Sequence, residues 1–170
     1  MERTVTTHSI VVRSGALLGW YALALLVVVV DQLTKGIASA YLDYARPVMV
    51  TSFFNWTLLH NPGAAFSFLS DAGGWQRWLF LAISTVVSLV IVVWMALLPR
   101  NARLQLLALG LILGGAIGNL WDRLMHGFVV DFIQLHYGGY YFPAFNIADS
   151  AITVGAAILI VDSLFGRQGR

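Results

Sequence analysis

Charge is what this chain has least of. Asp, Glu, Lys and Arg make up 11% of its 170 residues, against about 25% in an ordinary soluble domain. Too few remain to cover a water-facing surface. Cysteine is absent, which excludes disulfides, thiol nucleophiles and thiolate metal sites and leaves the redox compartment unread. The net charge of +2 is small and dispersed, so the sequence carries no basic footprint for nucleic acid. No internal repeat, low-complexity tract or second-domain boundary interrupts it.

What fills the space is apolar: 59% of the residues are hydrophobic. Four runs account for it, Gly15 to Val30, Trp78 to Leu98, Leu104 to Trp121 and Ile147 to Val161. Each approaches the roughly 20 residues that cross a bilayer as a helix. The pattern predicts an all-α membrane protein forming one integral domain over 1–170, with spans near 15–37, 77–98, 103–122 and 147–166. Segments 38–76 and 123–146 then lie together on one side. Arg3 and Arg13 before the first run resemble a secretory signal. However, Asp31, Gln32 and Lys35 follow it without a small-residue cleavage pattern, and three further runs come after, so it reads as a retained helix.

Placing both termini and the loop between spans two and three on one side gathers Arg3, Arg13, Arg100, Arg103, Arg167 and Arg170 there, against Lys35, Arg46, Arg77 and Arg123 opposite. The positive-inside rule then makes the termini cytoplasmic. Asp31, Asp43, Asp71, Asp122, Asp131 and Asp149 fall on the outer side, which points to a polar workplace there. The outer segments are more than tethers. Val48 to His60 is rich in β-branched and aromatic residues, and Gly138-Gly139 sits between two short strand-like runs, a hairpin signal. Together they predict a small sheet in the interfacial zone, where aromatic rings are at home.

Asp131 and Asp149 each stand in a polar run at the edge of an apolar segment. A carboxylate near hydrocarbon costs about 2.5 to 3.5 kcal/mol, so such a group is a functional hypothesis by default. If the two meet, one tends to be ionised and the other protonated, a pair able to take a proton from water and give one to a leaving group. Asn146, three residues before Asp149, also fits a capping box, which satisfies helix amides with no chemistry at all. Both readings stand together, because a carboxylate at a helix start is held by that geometry and favoured by the dipole.

Asp31 and Lys35, four apart, share a helix face; an ion pair ending the span and a supporting role near the site both fit. Asn61 precedes Pro62 and is pushed toward an extended conformation, its amide free to reach across. Gly63-Ala64-Ala65 leaves room for another chain to approach the backbone. Gly110, Gly114 and Gly118 give one face of span three no side chains, a packing feature. Beyond them Asn119 and Arg123, four apart, point the same way, and Arg123 is a fixed cation suited to carboxylates. Asp122 reads as a local surface neighbour of Arg123 and is assigned no chemistry. The four histidines lack zinc spacing, so no metal is expected, and no serine sits in a nucleophile motif.

In order along the chain, Asp31-Gln32-Leu33-Thr34-Lys35, Asn61-Pro62-Gly63-Ala64-Ala65-Phe66-Ser67, Gly115 to Arg123, Val129-Val130-Asp131-Phe132 and Phe145-Asn146-Ile147-Ala148-Asp149-Ser150 closely resemble bacterial lipoprotein signal peptidase, also called signal peptidase II. The resemblance runs from about residue 20 to 165. Pro62 stands where relatives often carry threonine.

The resemblance implies an intramembrane aspartic peptidase of the bacterial inner membrane, working near the periplasmic face. It would remove signal peptides from prolipoproteins just before a cysteine that carries diacylglycerol. Asp131 and Asp149 would be catalytic. Asn61, Gly63, Asn119, Arg123 and Asn146 would line the site, and Asp31 and Lys35 would support it. It implies no cofactor and no nucleic acid, membrane lipids as surroundings, and action as a monomer. From the residues alone two rivals stay open, a small proton-coupled transporter and a non-catalytic membrane assembly factor, since membrane carboxylates also mark ion paths.

Overall fold

A computed structural model describes residues 8–63 and 74–165, with side chains from residue 17 onward. Ala64 to Ser67 of the asparagine-proline-glycine motif, Asp71 and the terminal arginines other than Arg13 lie outside the described residues. Four helices form, α1 His8–Tyr41, α2 Trp75–Leu97, α3 Arg103–Met125 and α4 Ile147–Phe165. All four are long and apolar enough to cross a membrane.

Helical periodicity decides how they pack. On α1 the buried residues are Ala24, Val27, Asp31, Lys35 and Ala38, spaced three or four apart and therefore one stripe. Leu18, Leu25, Leu33 and Ile37 face outward. Helix α3 is central: 56% of its most apolar window is buried, against 11 to 17% in the others. Lipid tails are as apolar as leucine, so helices in a bilayer associate through close packing, not through escape from water. The glycines of α3 supply that closeness. A Cβ on Gly114 would stand 2.6 Å from the Ala24 carbonyl oxygen of α1, and one on Gly115 would run into the Ala148 carbonyl oxygen of α4. Below this crossing Ala24, Ile91, Met95, Leu106, Leu109 and Leu113 form a dry cluster toward the other end of the bundle.

The two connecting segments meet in a four-stranded antiparallel sheet, order β1-β2-β3-β4. Its strands are β1 Val48–Thr51, β2 Phe54–Asn61, β3 Val129–Tyr137 and β4 Tyr140–Tyr141. The expected hairpin closes at Gly138 and Gly139, whose φ values of 55° and 86° are those a tight hairpin turn demands and glycine meets without strain. Tyr137, Tyr140 and Tyr141 stay exposed around it. In β3 the first four residues, Val129 to Phe132, are all buried. A half-covered strand would alternate; this stretch does not, with β2 along its edge and helices α1 and α3 packed against it. That is how Asp131 comes to be buried.

Candidate active site

Three local structures aim their side chains at one point. In the β2–β3 ladder Asn61 pairs with Val129, so Asp131, two residues on, shares its face as a diagonal neighbour within reach. Asn61 Nδ2 donates to Asp131 Oδ2 at 3.1 Å. The Asn61 carbonyl-type oxygen turns the other way and accepts the Gly63 N–H at 3.0 Å. An Asx-turn thus spans Pro62, whose missing N–H the turn does not need.

At the start of α4, the capping box forms. Asn146 Oδ1 accepts the Asp149 N–H at 2.9 Å, and Asp149 Oδ2 accepts the Asn146 N–H at 3.3 Å. The Asn146 amide nitrogen is left free to donate to Asp131 Oδ1 at 2.7 Å, to the Val130 carbonyl at 3.2 Å and to Asn119 Oδ1 at 3.3 Å. One asparagine therefore touches both aspartates, the cap role and the site role being two ends of the same side chain. Asn119 Nδ2 completes the set by donating to Asp149 Oδ1 at 2.8 Å.

Each carboxylate oxygen of the pair receives one donor from these amides, while an ionised carboxylate accepts up to about four bonds. Lone pairs remain for a proton or a water. Burial first, and the Asp149 charge second, push the Asp131 carboxyl up to about 7, against the pull of Asn61, Asn146 and Lys35. The shift favours a proton on Asp131 over the ordinary ionised carboxylate.

Behind the pair lies a second layer. Lys35 Nζ meets Asp31 Oδ2 at 2.7 Å, Asp122 Oδ2 at 2.9 Å and Asn119 Oδ1 at 2.9 Å. These three contacts match the three protons of an ammonium. The helix does not end at this ion pair; α1 continues to Tyr41, because the charges are satisfied within the bundle. Arg123 donates from Nη2 to the Gly63 carbonyl at 2.9 Å and from Nη1 to the Asn119 carbonyl at 3.3 Å, with the Phe80 ring 5.3 Å from its Cζ.

Asp31, Lys35, Asn61, Gly63, Asn119, Arg123, Asp131, Asn146 and Asp149 are thus joined in one connected network. Asp122 corrects the sequence reading. It is not a surface neighbour of Arg123; only 2% of it is exposed, and besides Lys35 it accepts Gln32 Nε2 at 2.8 Å and the Val130 N–H at 3.1 Å. The signal was present in the sequence: adjacent residues on a helix do not face each other, so an acid beside Arg123 points elsewhere. Gln32 was also missed, because its partner Asp122 lies on another helix. Among the described residues, no group of three or more His, Asp or Glu is arranged to hold a metal ion. A cavity of about 700 Å³ lies at the opposite end of the bundle, between Trp94, Arg103, Gln105 and Asp162, remote from these carboxylates.

Comparison with known proteins identifies the family. A family model described as signal peptidase (SPase) II matches residues 23–165. The lipoprotein signal peptidase of Acinetobacter baylyi is 56% identical over 89% of this chain and 84% of that protein. That of Teredinibacter turnerae is 56% identical over 90% of this chain and 91% of its own. A solved bacterial membrane enzyme, determined by the in meso method at 2.3 Å resolution, superposes with a TM-score of 0.79 at 31% identity, covering 89% of this chain and 93% of that one. With a family match over most of its length and relatives this close, the chain belongs to the signal peptidase II family and is a multi-pass membrane peptidase.

Proposed function

We propose that this protein hydrolyses the signal peptides of diacylglyceryl-modified prolipoproteins, cutting before the lipidated cysteine with water activated by Asp131 and Asp149. The observation that carries the reading is the single asparagine, Asn146, hydrogen-bonded to both carboxylates. An ionised Asp149, held by Asn119 and the start of α4, takes a proton from water as the oxygen attacks the scissile carbonyl. Asp131 gives its proton to the carbonyl oxygen. As the tetrahedral intermediate collapses, Asp149 passes the proton it took to the leaving amine, a hydroxyl of the intermediate returns its proton to Asp131, and the carboxyl product separates with both aspartates back in their starting states. No covalent enzyme intermediate forms.

The relatives, lipoprotein signal peptidases, suggest the substrate class. Each buried CH₂ of an acyl chain contributes about 0.8 kcal/mol, so the diacylglycerol anchors the substrate against the spans and the peptide need only supply a small-residue turn. The arginine distribution supports cytoplasmic termini and a dyad near the periplasmic face of the inner membrane. The protein acts as a monomer with no cofactor. A transporter fits less well. The polar network occupies one end of the bundle, and the apolar cluster around Met95 and Leu109 separates it from Gln105 and Asp162 at the other.

The test is cleavage by purified full-length protein in detergent, offered one peptide with diacylglyceryl-cysteine and the same peptide with free cysteine. Cutting immediately before the cysteine, only when it is lipidated, is expected. Equal cutting of both peptides would overturn the lipid requirement, and binding without cleavage would overturn the proposal and favour a non-catalytic assembly role.

A further inference from the structure

Lys35 has two carboxylate partners where one would neutralise it. Asp31 lies on its own helix at 2.7 Å, and Asp122 comes from α3 at 2.9 Å. Both are essentially buried, at 0% and 2% exposure, and a carboxylate is not taken out of water without partners for its oxygens. What the two have in common is where their remaining contacts go. Asp31 Oδ1 accepts the Ala148 N–H at 2.9 Å, and Asp122 Oδ2 accepts the Val130 N–H at 3.1 Å. Ala148 immediately precedes Asp149, and Val130 immediately precedes Asp131.

We infer that Lys35, Asp31 and Asp122 form a two-armed clamp that sets the spacing of the dyad, each arm holding the backbone N–H of the residue before one of the two aspartates. Asp122 is thereby a positioning residue for Asp131, a role distinct from contact with substrate. The arms are firmly seated. Val130 is fixed on both sides, its N–H by Asp122 and its carbonyl by Asn146. Gln32 locks the clamp by donating to Asp31 Oδ2 at 3.2 Å and Asp122 Oδ1 at 2.8 Å, so that the two carboxylates share a cation and an amide. The crossing is as close as atoms permit, since a Cβ on Gly118 would stand 2.7 Å from Asp31 Oδ2. Two helices, α1 and α3, thus hold two peptide groups, one at the start of β3 and one at the start of α4.

The clamp rests on the dyad reading above, and its test keeps the two apart. Full-length protein in detergent is compared with Asp122→Asn and Asp31→Asn, isosteric changes that keep one acceptor oxygen, by amide hydrogen exchange and by cleavage kinetics. Asp122→Asn is expected to raise exchange over residues 129–132 and leave 147–150 unchanged. Asp31→Asn is expected to do the reverse. In each, kcat falls by about 100-fold, the scale of a displacement of about 1 Å, while KM holds.

A general structural role would raise exchange over both segments in both variants; that result, or no change in either, overturns the clamp. Asp122→Ala supplies a second reading of the same arm, expected to lose more than Asp122→Asn; equal losses count against it. The exchange pattern is independent of turnover. If Asp131→Asn proved active, the dyad would fail while arm-specific exchange still stood; a clamp failure with inactive Asp131→Asn leaves the dyad in place.

Discussion

Asn146 and Asp149 cap each other, backbone N–H to side-chain oxygen in both directions, at 2.9 Å and 3.3 Å. The cap locks the aspartate at the first turn of α4 and turns the asparagine's amide nitrogen outward to Asp131. The structural and the chemical reading of this motif are therefore one arrangement.

They can still be separated by mutation. Asn146→Ala loses the cap, about 1 kcal/mol, which lowers Tm by roughly 2–4 °C in a chain of this size. It also releases Asp131 and Asn119, so cleavage falls by about 100-fold. Asn146→Ser restores a capping oxygen but is too short to carry the amide donor to Asp131. It is expected to recover Tm and not cleavage; thermal unfolding and initial rates in the same detergent check both.

Acidity is set by the same contacts. With Asp131 raised to about 7 by burial and by Asp149, the proton it must donate is lost as pH climbs through that value, so kcat falls on the alkaline side. Hydrogen bonds to the charged form lower a carboxyl's pKa, and Asn61 makes one. Asn61→Ala removes it and is expected to shift the alkaline limb to higher pH. A pH–rate profile with the limb moved downward contradicts the assignment.

The helix crossings give a stability prediction with an internal control. Gly115→Ala forces a methyl into the Ala148 carbonyl of α4, and overpacking of this kind costs about 1–3 kcal/mol. It displaces the α4 start that carries Asp149, so Tm and cleavage drop together. Gly36→Ala meets nothing within 4 Å and is expected to stabilise by about 0.5–1 kcal/mol, the ordinary gain of replacing a helical glycine. Thermal unfolding of the two variants beside the parent checks both signs.

Much of this was legible in the chain before any coordinates. Apolar runs of near-membrane length become α1 to α4, and the Gly138-Gly139 pair becomes the hairpin, because both depend on local physics: hydrocarbon thickness in one case and backbone freedom at positive φ in the other. The alternation from Asn61 to the β3 aspartate was not readable, since strand register joins residues about 70 apart in sequence. What Asp122 binds was hidden for a similar reason. Its partners, Lys35 and the Val130 amide, come from two other elements, and a helix sequence shows only neighbours three or four places away. Individual motifs named the residues of the site; only the fold showed that Asn146 links its two acids and that Lys35 stands behind both.

The most direct measurement is turnover of a diacylglyceryl peptide by purified Asp131→Asn and Asp149→Asn, with Asp43→Asn as control; Asp43 is exposed and pairs with Arg46 at 3.4 Å. Each dyad variant is expected to insert normally and to lose at least about 10²-fold in kcat, the smallest contribution typical of a general acid or base, while Asp43→Asn cuts at the parent rate. Parent-rate cleavage by either dyad variant would contradict water activation by Asp131 and Asp149.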